Sequence, residues 1–139
     1  MLCLLDTGPL VAFFDSRDGW HDRIKTVIGR MPGGFMTTMP VVTETMYFLQ
    51  SVPSGQARLV DFLATSDTIV HPSHEAPELK ACLRLMQRYA DTPMDFADAS
   101  LVVLAGHSRV HNILTLDERG FRVFRIGPRD TFNLVLDHF

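Results

Sequence analysis

The chain has 139 residues, 46% of them hydrophobic and 21% charged, with 9 glycines and 8 prolines dispersed along it. That length holds one core of ordinary size, so a single domain over residues 1–139 is expected, and the composition excludes a disordered, collagenous or coiled-coil chain. The formal net charge of −3 excludes a uniformly basic nucleic-acid coat and leaves the distribution of charge to decide the rest.

The elements follow in chain order. Residues 2–5 form a continuous apolar run, the pattern of a strand buried in a parallel sheet, and Asp6-Thr7-Gly8-Pro9 follows as a strand-to-helix corner with proline in the first turn. A helix is predicted over 20–30, with Ile24, Val27 and Ile28 on one side and Pro32-Gly33-Gly34 beyond its end. A second strand is expected at 35–38, then helices over 40–50 and 54–63 and a third strand at 68–70. The stretch 77–89 carries a stripe of Leu79, Leu83 and Met86, and 96–105 is apolar nearly all round except for Asp98 and Ser100, which predicts a buried central helix. Strands at 112–115 and 122–126 complete the chain. Strands alternating with helices imply crossover connections, and the fold class expected is α/β: a three-layer α/β/α sandwich around a mainly parallel sheet of four to five strands.

No run approaches the roughly 18 uncharged apolar residues of a membrane span. The apolar start lacks a basic leader segment, its first arginine being Arg17, and Asp6 interrupts it, so no export signal is expected. Cys3 and Cys82 form neither a metal-ligand nor a disulfide pattern and read as buried thiols of a reducing, cytoplasmic protein with no membrane partner.

The carboxylates carry the chemistry. Ligands of open α/β sheets bind beyond the carboxyl ends of the strands, where Asp6 and Asp117 are expected. Asp95 and Asp98 stand three apart in the first turn of the apolar helix and share a face. Glu44 sits between Val42, Thr45 and Phe48 with no Lys or Arg within a turn. Asp95 also reads as a helix cap and Asp117 as a turn residue, but Glu44 and Asp98 on apolar helix faces need a partner, because buried charges are paired or bind metal. Oxygen-only donors converging without cations repel one another, a conflict that a hard ion such as Mg²⁺ or Mn²⁺ resolves. One or two such ions suit phosphoryl chemistry.

Leu4-Leu5-Asp6-Thr7-Gly8-Pro9-Leu10, Val42-Thr43-Glu44-Thr45, Met94-Asp95-Phe96-Ala97-Asp98-Ala99 and Leu114-Thr115-Leu116-Asp117-Glu118-Arg119-Gly120-Phe121 resemble the successive acidic motifs of the PIN domain, especially the VapC-type toxin ribonucleases. The acids stand in family order at spacings of 38, 54 and 19 residues (6 to 44, 44 to 98, 98 to 117), and the likeness spans nearly the whole chain. Asp18-Gly19-Trp20-His21 is similar to the loop after the first helix of these proteins. Gly8 stands where the family often has Ser.

The resemblance implies a Mg²⁺- or Mn²⁺-dependent endoribonuclease, the toxin of a type II toxin-antitoxin pair, with a cognate antitoxin as partner and a homodimer as assembly. It implies Asp6, Glu44, Asp98 and Asp117 as the catalytic and metal-holding quartet, Asp95 as an accessory acid, and Thr7 and Thr115 as hydrogen-bonding residues of the site. Metal-activated water would attack an RNA phosphodiester in line, leaving 5′-phosphate and 3′-hydroxyl ends. A catalytically silent PIN-like binding module and a housekeeping RNA-processing nuclease stay open as alternatives. A phosphatase with Asp6 as nucleophile is disfavoured, because its pattern requires a second Asp where Gly8 stands.

Setting the five proposed site acids aside leaves eleven acids against thirteen basic residues, eleven of them Arg. Lys80, Arg84 and Arg88 recur every fourth residue and are expected as a substrate-binding ridge leading towards Asp95 and Asp98, or else as an ordinary solvated face. Arg119 heads a second basic cluster with Arg122, Arg125 and Arg129, with the same two readings. Phe13, Phe14, Tyr47 and Phe48 are expected in the core or at a dimer interface, and an exposed patch among them would suit an antitoxin helix. His71 and His74 flank an apparent loop with no nucleophile beside them, so a catalytic histidine is not expected.

Overall fold

The computed structural model describes residues 1–139. Five strands form one parallel sheet in the order β3-β2-β1-β4-β7: Ile69–His71, Phe35–Thr38, Cys3–Leu5, Asn112–Leu114 and Asn133–Leu134. Helices flank this sheet. β1 is central, with Leu4 opposite Met36 of β2 on one side and Ile113 of β4 on the other. Every residue of β1 and β2 is buried, as expected of strands covered on both faces. Strand order reverses between β1 and β4, so the crevice at their carboxyl ends is a topological switch point.

The helices start where the sequence supplies caps. α1 (Thr7–Phe14) begins directly after Asp6, α3 (Met39–Leu49) is capped by Thr38 and has Pro40 in its first turn, and α6 (Phe96–Ser108) is capped by Asp95. α2 (His21–Arg30) and α4 (Gly55–Thr65) pack with α1, and α5 (Ala76–Arg88) packs along α6. α6 is the buried helix foreseen: Ala97, Ala99, Leu101, Leu104 and Ala105 are all buried. Its Ser100 belongs to a satisfied chain, the hydroxyl donating to the Ala97 carbonyl at 2.7 Å and lying 2.7 Å from the Thr38 hydroxyl.

The structure corrects the C-terminal third. Only Arg125–Ile126 of the expected strand 122–126 is extended; this is β5, paired antiparallel with β6 (Asp130–Thr131) in a separate ribbon. A short helix, α7 (Glu118–Phe121), and its closing turn take up the preceding residues, and Phe121 and Phe124 turn inward with rings 5.2 Å apart. The β-prone residues Val123, Phe124 and Ile126 imitate a strand. The fifth strand of the main sheet is instead β7, two residues long and followed by a 3-10 turn, Val135–His138. No helix is long and apolar enough to cross a membrane.

Candidate active site

Asp6 leaves β1 with its backbone N–H bonded to the Leu114 carbonyl of β4 at 3.1 Å, which fixes it at the switch point. It is only 6% exposed. Its Oδ1 accepts the Thr7 N–H at 2.8 Å and its Oδ2 the Thr115 hydroxyl at 2.7 Å. The same Thr115 oxygen accepts the Asp117 N–H at 2.9 Å, so one buried hydroxyl holds the acids of two strand exits in fixed relation. Asp117 then caps α7 through the Gly120 N–H at 3.0 Å. A Cβ at position 120 would lie 2.5 Å from Asp117 Oδ2 and 2.9 Å from the Phe124 ring, which explains the glycine in Leu-Asp-Glu-Arg-Gly.

Asp95 and Asp98 make a reciprocal capping box. Asp95 Oδ1 accepts the Asp98 N–H at 2.8 Å and Asp98 Oδ2 accepts the Asp95 N–H at 3.1 Å. Asp95 therefore caps its helix through one oxygen and also lines the cavity. Asp117 combines cap and cavity wall in the same way.

One cavity of about 660 Å³ is lined by Asp6, Asp18, Glu44, Asp95, Asp98 and Asp117, with Thr7, Gly8, Val11, Phe48 and Leu116 completing its wall. No Lys, Arg or His is among these residues. Burial raises the Asp6 carboxyl to about 6, against the hydrogen bonds from Thr115 and Thr7 and with further upward pressure from the charges of Asp117 and Asp95. Burial and the charges of Asp6 and Asp95 carry Asp98 higher still, to about 8. Both shifts mean that negative charge here wants a cation that the protein does not supply.

The residues fit a hard metal ion. The donors are all oxygen, and the Thr7 hydroxyl, buried in the cavity wall, is a buried side-chain oxygen with no hydrogen-bond partner. No three acids stand close enough to clasp an ion directly. Mg²⁺ keeps several of its waters and binds through one or two carboxylates, which such spacing allows.

All five acids expected from the sequence meet in this cavity; Thr7 lines it and Thr115 lies beneath it. The basic residues do not join them: Lys80, Arg84, Arg88 and Arg119 are exposed and none lines the cavity. Arg122 is occupied by Asp137 at 2.8 Å, and Arg125 donates to the Arg122 and Val123 carbonyls at 2.9 Å. Phe13 and Phe14 pack into the core as expected, whereas Tyr47 and Phe48 are 65% and 51% exposed. His71 ends β3 and bonds Glu78 of α5. Asp18 is the acid that sequence reasoning passed over. Its signal lay in the loop after α1, where Asp15 is neutralised by Arg17 at 3.0 Å and Asp18 is left to line the cavity.

The profile of the PIN domain matches residues 3–126, and the chain belongs to the PIN-domain family. It is 28% identical over 123 residues to Ribonuclease VapC26 of Mycobacterium tuberculosis, an alignment covering 88% of this chain and 91% of that protein. Among solved structures it is similar to VapC20 of Mycobacterium tuberculosis, described as a Sarcin-Ricin loop cleaving toxin, with a TM-score of 0.76 and 18% identity over 85% of this chain and 91% of the other. At that identity the likeness is one of fold.

Proposed function

We propose that this chain is a metal-dependent endoribonuclease and the toxin of a toxin-antitoxin pair, acting in the cytoplasm as one nuclease domain over residues 1–139. A single observation carries the reading: six carboxylates from five separate segments line one cavity that holds no basic side chain, in a chain of the PIN-domain family. The similarity to Ribonuclease VapC26 supports the choice of RNA and of the toxin class.

Asp6, Glu44, Asp98 and Asp117 would hold Mg²⁺ or Mn²⁺, one ion or two, with Asp95 as an accessory acid. Bound there, the metal supplies neutralisation of phosphate charge and activation of water at neutral pH. The chain's own residues do the positioning. Thr115 orients Asp6 and Asp117 together, the Asp95–Asp98 box fixes the first turn of α6, and the unpartnered Thr7 hydroxyl offers a hydrogen bond to whatever occupies the cavity. Asp6 and Asp98 must lose their protons for the metal to be held, so metal binding weakens as pH falls. In-line attack on the phosphodiester would leave 5′-phosphate and 3′-hydroxyl ends.

The antitoxin is assigned to the apolar cavity of about 760 Å³ beside the acids, which shares Glu44, Phe48 and Asp95 with them. Met39, Tyr47, Leu79 and Phe96 are exposed along it, a surface suited to the apolar face of a helix. A homodimer is part of the same proposal, formed through other exposed apolar residues such as Val60 and Leu83. Incubation of the purified protein with host RNA in Mn²⁺ tests the activity: cleavage is expected, and should disappear in Asp6→Asn and Asp98→Asn. A wild-type protein that leaves host RNA intact in both Mn²⁺ and Mg²⁺ would refute it.

A further inference from the structure

The acid cavity has no cation of its own with which to hold an RNA backbone. A groove of about 380 Å³ on the flank of the molecule, between α5 and α6, has two, Arg84 and Arg88, with His107 beside them. Its floor is small or apolar, made by Ala81, Leu85, Val102 and Gly106, and even a Cβ at Gly106 would meet Ile126 Cγ2 no nearer than 3.9 Å. Its rim carries Arg84 and Arg88 from α5, one turn apart, and His107 from α6, all exposed. No acid lines it. The arginine ion pairs of the structure are those of Arg17 and Arg122, so both guanidinium groups of the groove remain available.

The groove lies within reach of the acids. A further cavity, lined by Met86, Tyr89 and Ala90 at the end of α5, shares Asp95 and Asp98 with the acid cavity. Met86 and Tyr89 alternate along α5 with Leu85 and Arg88 of the groove. At 1.5 Å per residue along α6, Val102 stands about 6 Å and His107 about 14 Å beyond Asp98. Cations set off at this distance grip the strand without pairing to the acids, which would quench both.

We propose that the α5–α6 groove rimmed by Arg84, Arg88 and His107 is a phosphate-binding site for single-stranded RNA, holding the backbone a short way from the phosphate that is cut. The proposal deepens the ribonuclease reading and rests on it. The planar guanidinium fork matches phosphate oxygens in two-point contact, and the imidazole adds a third donor. Lys80, next along the same ridge, does not line the groove and is left out.

The test is fluorescence anisotropy of a labelled single-stranded RNA oligonucleotide bound to the full chain, in chelator so that nothing is cut, across a range of salt. Two lost phosphate contacts reduce the slope of log affinity against log salt by about 1.4. R84A/R88A is expected to show that reduction and binding on the order of tenfold weaker at low salt. Lys25→Ala/Arg30→Ala removes equal charge from exposed positions on α2 and should leave the slope unchanged. In Mn²⁺ the groove variant should raise KM and keep kcat. A wild-type slope in R84A/R88A, an equal loss in the α2 control, or absence of RNA binding by the wild type overturns the groove whether or not RNA is cut. Arginine-dependent binding with no cleavage of host RNA in either Mn²⁺ or Mg²⁺ upholds the groove and sinks the ribonuclease reading instead.

Discussion

Replacing Asp6 by Asn isolates the electrostatic cost of the site. The carboxyl is raised from 3.8 to about 6, chiefly by burial. At 1.36 kcal/mol per pH unit, holding it ionised at about pH 8 costs the apo protein about 3 kcal/mol. Asn keeps an oxygen for the Thr7 N–H but cannot accept the Thr115 hydroxyl in the same sense, a loss of about 1 kcal/mol. The variant should therefore be more stable than the wild type by about 2 kcal/mol at about pH 8 in chelator, a rise in Tm of roughly 6 °C for a chain of this size. The sign reverses none of this on acidification but removes it: a carboxyl with a raised folded pKa contributes stability that is complete below its unfolded value and is lost as pH rises through about 6. At about pH 4.5 the wild type recovers most of the difference and the two melting curves should nearly coincide. Mn²⁺ at a hundred times its dissociation constant should add about 2.7 kcal/mol to the wild type and little to the variant, inverting their order. Scanning calorimetry at the two pH values, with and without metal, decides. An Asn variant melting at or below the wild type at about pH 8 in chelator, or a gap that persists on acidification, refutes a charge-strained Asp6.

Thr115→Val strips Asp6 of one hydrogen bond and Asp117 of another, so a loss of about 1–3 kcal/mol is expected, and the acid limb of the pH–rate profile for RNA cleavage should move upward. An unmoved profile would show that Thr115 does not hold Asp6. Gly120→Ala drives a methyl into Asp117 Oδ2 and Phe124 and should cost about 1–3 kcal/mol with a fall in kcat, whereas Gly106→Ala, where there is room, should gain about 0.5–1 kcal/mol in helix propensity; thermal melts of the pair compare them. Tyr47→Ser/Leu79→Ser touches exposed positions, so stability should stay within about 0.5 kcal/mol. Binding to the product of an adjacent antitoxin gene, read by co-purification, should be lost, and undiminished co-purification would move the antitoxin elsewhere.

The local signals were strong where chain neighbours decide the outcome. The apolar run before Asp6 made β1, Pro40 and Thr38 started α3, and the all-round apolar pattern of 96–105 made α6 a buried helix. Where β-prone residues served something other than a sheet, the signal misled: Phe121 and Phe124 face inward from a helical turn, and β7 is only two residues long and pairs with the edge of β4. The same division runs through the site. Acid identity and order are properties of the chain, so Asp6, Glu44, Asp95, Asp98 and Asp117 could be read directly. Asp18 could not, since only the return of the loop after α1 brings it to the cavity wall.

Sequence by itself determined the family, the parallel α/β class and the acids, because burial patterns, caps and motif order are written in residues close together. Only the tertiary structure decided what those acids lack and what stands beside them. It showed one cavity free of basic side chains, Thr115 bridging two strand exits, and Arg84 and Arg88 facing a groove with His107 rather than the acids. Those relations join residues as far apart as Asp6 and Thr115, and chain separation carries no distance until the sheet and its crossovers fix one.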